Sequence, residues 1–183
     1  MTTFLPRTPL APAAVPANGP LAQPLLRDAV LIGAAIAFLS AIAQLSVDLP
    51  FSTSRSGEIV PVTGQTFGVL LIGITYGLRR GVVAVASYLA LGLAGAPVYA
   101  SAASGAGVLF TGSTAGYLWG FLLAAAFLGW CADRGLDRGP WLYAVLLAGN
   151  ALIYVAGLPV LALWLGHHGI GIFGKHPVQC GAH

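Results

Sequence analysis

From Gly81 to Ala132 the chain runs for 52 residues without one charged side chain. A single straight helix of that length would measure about 78 Å at ~1.5 Å per residue, whereas the hydrocarbon core of a bilayer is only about 30 Å thick. The stretch therefore has to cross an apolar layer twice and turn in between. Its middle reads Gly105-Ala-Gly-Val-Leu-Phe-Thr-Gly-Ser-Thr-Ala-Gly-Tyr-Leu-Trp-Gly-Phe121, the densest run of small and hydroxyl residues in the protein. That turn is where a ligand site is expected.

Hydrocarbon is the natural solvent for the whole chain. It is 57% hydrophobic and 7% charged, against about 25% charged for an ordinary soluble domain. The net charge of +3 comes from eight basic and five acidic residues. The basic residues sit mostly at segment ends and form no continuous patch, which excludes a nucleic-acid partner. The first 23 residues hold five prolines and one charge, Arg7. They read as a flexible tail, because prolines at that density break the apolar helix a signal peptide requires. Cys131 and Cys180 lack the spacing of a disulfide framework or a zinc site.

Five apolar spans are predicted, at 29–45, 65–78, 81–95, 114–132 and 141–165, giving an all-α polytopic bundle. Residues 1–28 form the Pro-rich tail and 166–183 an atypical C-terminal tail. The second and third spans fall short of the roughly 20 residues a lipid-facing helix needs; short spans are tolerated where they pack inside a bundle and line a cavity. Orientation follows the positive-inside rule. With the N-terminus cytoplasmic, Arg7, Arg27, Arg79, Arg80, Arg134 and Arg138 lie inside, and only Arg55 and Lys175 lie outside. The long connections 46–64 and 96–113 then face outward and the short turns face inward, so a pocket is expected to open to the exterior of the cell membrane.

Gly112, Gly116 and Gly120 are spaced by four and share one face if a helix begins near Gly112. A face without side chains accepts either a flat ligand or another helix. Ser113 or Thr114 is positioned to cap that helix, and Tyr117, Trp119 and Phe121 add aromatic surface. Thr63, Gln65 and Thr66 place neutral polar groups where the second span starts. Asn150 and Tyr154, four apart in the last span, and Tyr88 in the third are the partners such groups require, since an unpaired polar group at membrane depth is costly. In the first span Ala37 and Ala41 form a small-xxx-small pair, suited to packing within the protein or to docking a separate membrane partner. No nucleophile elbow, HExxH, P-loop or metal-ligand cluster is present. The expectation is a non-enzyme without cofactor or metal.

Four motifs resemble the BioY family, the biotin-capturing S components of energy-coupling-factor (ECF) vitamin transporters. They are Pro61-Val-Thr-Gly-Gln-Thr-Phe67, Tyr76-Gly-Leu-Arg-Arg-Gly81, Gly92-Leu-Ala-Gly-Ala-Pro-Val-Tyr-Ala100 and the run from Gly112 to Phe121. The resemblance covers residues 29–165. It implies a six-helix membrane protein that binds biotin from outside and works with a transmembrane coupling subunit and ATPase subunits, or by self-association. It also implies roles: Gly112, Gly116 and Gly120 as a bare wall, Tyr117 and Tyr99 stacking or closing, and Thr63, Gln65 and Asn150 hydrogen-bonding. Tyr88 and Thr114 complete the set, and Ala37 and Ala41 meet the coupling subunit. The family's Gly-Pro-Thr-Gly-Gly-Tyr reads here Gly112-Ser-Thr-Ala-Gly-Tyr117. Beyond Leu165 the family's sixth helix, opening Pro-Gly-Asp and carrying a Lys, has no match, and Lys175 is not its equivalent. The pocket is therefore expected to lack one wall. The alternatives are capture of a different vitamin, or a shortened membrane protein whose glycines and polar residues only pack helices.

Overall fold

A computed structural model describes residues 24–47 and 62–167. Arg7, Arg55, Lys175, Cys180 and, of the expected tails at 1–28 and 166–183, residues 1–23 and 168–183 lie outside the described residues. In chain order the elements are α1 (Pro24–Gln44), β1 (Ser46–Val47), β2 (Val62–Thr63), α2 (Gln65–Leu93), α3 (Ala115–Asp133) and α4 (Trp141–His167). A 3₁₀ turn at Ala100–Ala102 and a π turn at Gly107–Thr111 lie between α2 and α3. The two short strands pair antiparallel, Ser46 opposite Thr63 and Val47 opposite Val62. α1 starts at Pro24, inside the segment the proline pattern assigned to the tail.

Two of the expected spans are joined in α2, which is broken at Gly77 (φ 78°, ψ 177°). That backbone region is open essentially to glycine alone. The break reverses the chain. In a straight helix Gln65 and Tyr88 would lie about 34 Å apart, yet Gln65 Nε2 donates to Tyr88 Oη at 2.6 Å. A Cβ on Gly81 would likewise come within 3.5 Å of the Gly73 Cα. Residues 65–76 and 78–93 are therefore two antiparallel limbs, so the described residues form five helical segments at the five predicted spans, and four helices are long and apolar enough to cross a membrane. The limbs measure about 18 and 24 Å, so their ends depend on protein rather than lipid.

The reversal is stabilised from α3. The Leu78 N–H opens the second limb and has no partner in its own helix; it donates to Asp133 Oδ2 at 3.2 Å. Gly129 makes the approach possible, since a Cβ there would lie 2.6 Å from the Leu78 backbone. Arg80 Nε meets Asp28 Oδ1 of α1 at 2.7 Å, and Tyr76 Oη donates to the Leu31 carbonyl at 3.1 Å. α3 is the central helix. Leu118, Phe121, Ala124, Ala125, Leu128 and Ala132 are buried on it, with α2 and α4 packed against it.

Candidate functional site

At the end of the bundle opposite Gly77 the connections enclose a cavity of about 930 Å³. The start of α2 supplies Gln65, Thr66, Phe67 and Leu70, and the α2–α3 connection supplies Tyr99, Ser101 and Gly112. The first turns of α3 add Thr114, Tyr117 and Phe121, and α4 adds Tyr143, Leu147, Asn150 and Tyr154. Three of the four motif stretches thus meet on one space, although they lie up to about fifty residues apart in sequence.

A buried frame holds this end. Gln65 donates to the Tyr88 hydroxyl, and that hydroxyl donates to the Val98 carbonyl at 2.9 Å. Tyr99 Oη donates to Leu89 O at 2.7 Å, and the two tyrosine rings meet edge-on at 5.7 Å. Gly92 leaves room for the Tyr99 ring, whose atoms a Cβ at that position would strike. Burial pushes the Tyr99 phenol above its usual range, so it acts as a neutral donor. Tyr88 is consequently behind the cavity wall and not in it; its part is to orient Gln65.

Across the cavity the Tyr117 ring lies against Gly157 of α4, where a Cβ would fall 2.5 Å from Tyr117 Cδ1. It also meets Tyr154 edge-on at 5.9 Å. This pair joins α3 to α4 while one side of each ring faces the space. Asn150 lies four residues from Tyr154 along the same face. It borders the cavity, and its carboxamide makes no hydrogen bond among the described residues.

The glycine expectation is corrected. Only Gly112 reaches the cavity, and it lies before α3 with an extended backbone (φ −73°, ψ 159°). A Cβ on Gly116 would come within 2.7 Å of the Ala156 carbonyl, and one on Gly120 within 3.0 Å of Ile153. Those two glycines seat α4, so the bare face is occupied by a helix. Thr114 takes the N-cap position but makes no side-chain capping bond; the Tyr117 and Leu118 amides bond its carbonyl instead. Thr63 is placed by its backbone, opposite Ser46. Ala37 and Ala41 are exposed, while Ala35, Leu39 and Ala43 on the other side of α1 are buried, so the small pair does not serve packing within the described bundle.

Sequence reasoning missed Phe67, Ser101, Tyr143 and Leu147 as lining residues. Tyr143, Leu147, Asn150 and Tyr154 recur at intervals of four, three and four, one helix face, and that stripe was available in the sequence. Ser101 was not: it lines the cavity because Ser101 and Ala102 adopt the left-handed conformation (φ 56° and 57°), which neither residue type announces.

The model of the BioY family matches residues 13–176, past Leu165 where the motif reading stopped. A biotin transporter BioY of Thermotoga maritima is 41% identical over 58% of this chain and 62% of its own length. The probable biotin transporter BioY of Pyrococcus horikoshii is 31% identical over 82% of this chain and 84% of its own. The biotin transporter BioY of Rhodobacter capsulatus is 36% identical over 76% of this chain and 70% of its own. The match spans about three fifths of the length of the curated relatives that head the comparison. Among solved structures, the S-component for biotin from an ECF-type ABC transporter superimposes with a TM-score of 0.66, at 22% identity over 82% of this chain and 77% of that chain. At that identity the likeness concerns the fold.

Proposed function

The chain belongs to the BioY family, and we propose that it captures biotin from the outside of the cell membrane as the S component of an ECF-type transporter. The observation that carries this reading is the 930 Å³ cavity on which three of the four motif stretches converge. Biotin is a flat ureido ring system with a valerate tail. The Tyr117 ring offers an apolar face to such rings, the buried Tyr99 shapes the wall from within the frame, and Thr66, Thr114, Gln65 and Asn150 offer neutral donors and acceptors for the ureido group. Gly112 lets backbone approach the ligand, and Tyr88 acts through Gln65. Thr63 belongs to the same motif and is assigned to the ureido contacts with it.

The N-terminus is cytoplasmic in this reading, which directs the cavity outward and the Gly77 turn inward. The exposed Ala37–Ala41 face of α1 docks the transmembrane coupling subunit, and two ATPases supply the energy, since this chain carries no P-loop. Saturable binding of radiolabelled biotin to the purified, detergent-solubilised protein is the direct test. It should be competed by unlabelled biotin and not by other vitamins. Absence of saturable binding would overturn the reading, and competition by another vitamin would redirect it. For the docking face, Ala37→Trp and Ala41→Trp are expected to abolish co-purification with the coupling subunit while leaving biotin binding intact.

A further inference from the structure

Resting on that reading of the cavity, we infer that Gln44, the last residue of α1, is a positioning residue that holds the left-handed Ser101–Ala102 turn in the form that lines the binding cavity. Two consecutive residues with side chains are left-handed there, a conformation that isolated chains of L-residues avoid. Something outside the turn must favour it. The Gln44 carboxamide does so at both ends, Nε2 donating to the Tyr99 carbonyl at 3.1 Å and Oε1 accepting from the Ala102 N–H at 3.2 Å. The Tyr99 carbonyl can only accept and the Ala102 N–H can only donate, so one amide orientation satisfies both. The turn's own bonds, Tyr99 N–H to Ala103 O and Ala103 N–H to Ala100 O, close the loop but leave the Ala102 N–H to Gln44. Tyr99, Ala100, Ser101 and Ala103 all line the cavity, so releasing the turn moves four wall residues together. Gln44 touches none of the space itself.

The role predicts a dependence on backbone conformation that simple packing does not. Gln44→Leu keeps a branched side chain one bond shorter and removes both bonds to the turn along with the weaker one to the Ser40 carbonyl at 3.4 Å; biotin affinity of the purified full-length protein should fall about tenfold. In an Ala102→Gly background, where the left-handed conformation carries no steric cost, the same replacement should cost less than about threefold. Equal losses in the two backgrounds, or no loss in either, would overturn the inference. Gln44→Glu retains the acceptor for Ala102 but cannot donate when ionised, so an intermediate loss is expected; a loss as large as that of Gln44→Leu would count against the two-ended role. A second readout does not need biotin. With Cys131 and Cys180 replaced by alanine and a cysteine placed by Ala103→Cys, a partly buried position of the same turn, an impermeant maleimide should label about fivefold faster once Gln44 is leucine. An unchanged rate sinks the inference. A faster rate in a protein that binds no biotin would support the positioning role and refute the biotin reading.

Discussion

At the Gly77 end of the bundle Asp133, Asp28 and Arg80 close on partners inside the protein, while Arg27 Nε is buried without one among the described residues, whereas at the cavity end polar side chains are divided between a frame and an open face. Asp133 accepts from Leu78, Asp28 pairs with Arg80, and Arg134 lies 3.5 Å over the Trp130 ring. These contacts fix one chain reversal. At the other end Gln65, Tyr88, Tyr99 and Gln44 bond to one another or to backbone, while Thr66, Thr114 and Asn150 face the cavity. The first end is built from charges and the second from neutral groups. A charge held in low dielectric requires a dedicated partner, but a neutral amide or hydroxyl can wait for a ligand at modest cost. The difference separates what holds the fold from what is available for binding.

Four substitutions test that separation. The largest effect is expected from Gly129→Ala, whose Cβ would meet the Leu78 backbone at 2.6 Å. Neither backbone can yield, so a loss of about 3 kcal/mol or more is expected, seen as collapse of the monodisperse peak in size-exclusion chromatography. Tyr88→Phe removes two buried hydrogen bonds from the frame. About 2 kcal/mol should go, together with ligand binding, in a thermal-denaturation and binding pair of measurements. Asp133→Ala leaves the Leu78 N–H without its acceptor, for about 1 kcal/mol in melting experiments; ligand affinity should not change, and if it does the two ends are not separable. Asn150→Ala should leave the melting temperature unaltered and weaken biotin binding about tenfold. A drop in stability instead would place Asn150 in the frame.

Much of the fold was legible in the sequence because hydrophobic length is a one-dimensional property. The charge-free run from Gly81 to Ala132 required two crossings, and the Arg79–Arg80 pair marked the reversal within four residues of the break at Gly77. Asn150 and Tyr154 could be assigned to one face by spacing alone. The glycines could not be sorted in the same way. Gly112, Gly116 and Gly120 are identical in type and evenly spaced, yet one borders the cavity and two seat α4. A missing side chain says that something comes close, and says nothing about what. Tyr88 was equally ambiguous, since a phenol in an apolar span can meet a ligand or a neighbour. The distance to Gln65 decided for the neighbour.

The sequence by itself determined the apolar solvent, the succession of apolar segments and the family, because each is carried by composition, run length or local motif. Only the tertiary structure decided which polar groups are already paired and which glycine faces are already filled. Those outcomes depend on contacts between segments such as Gln44 and Tyr99, 55 residues apart in the chain, and no local pattern encodes which of two equally suitable partners arrives first in space.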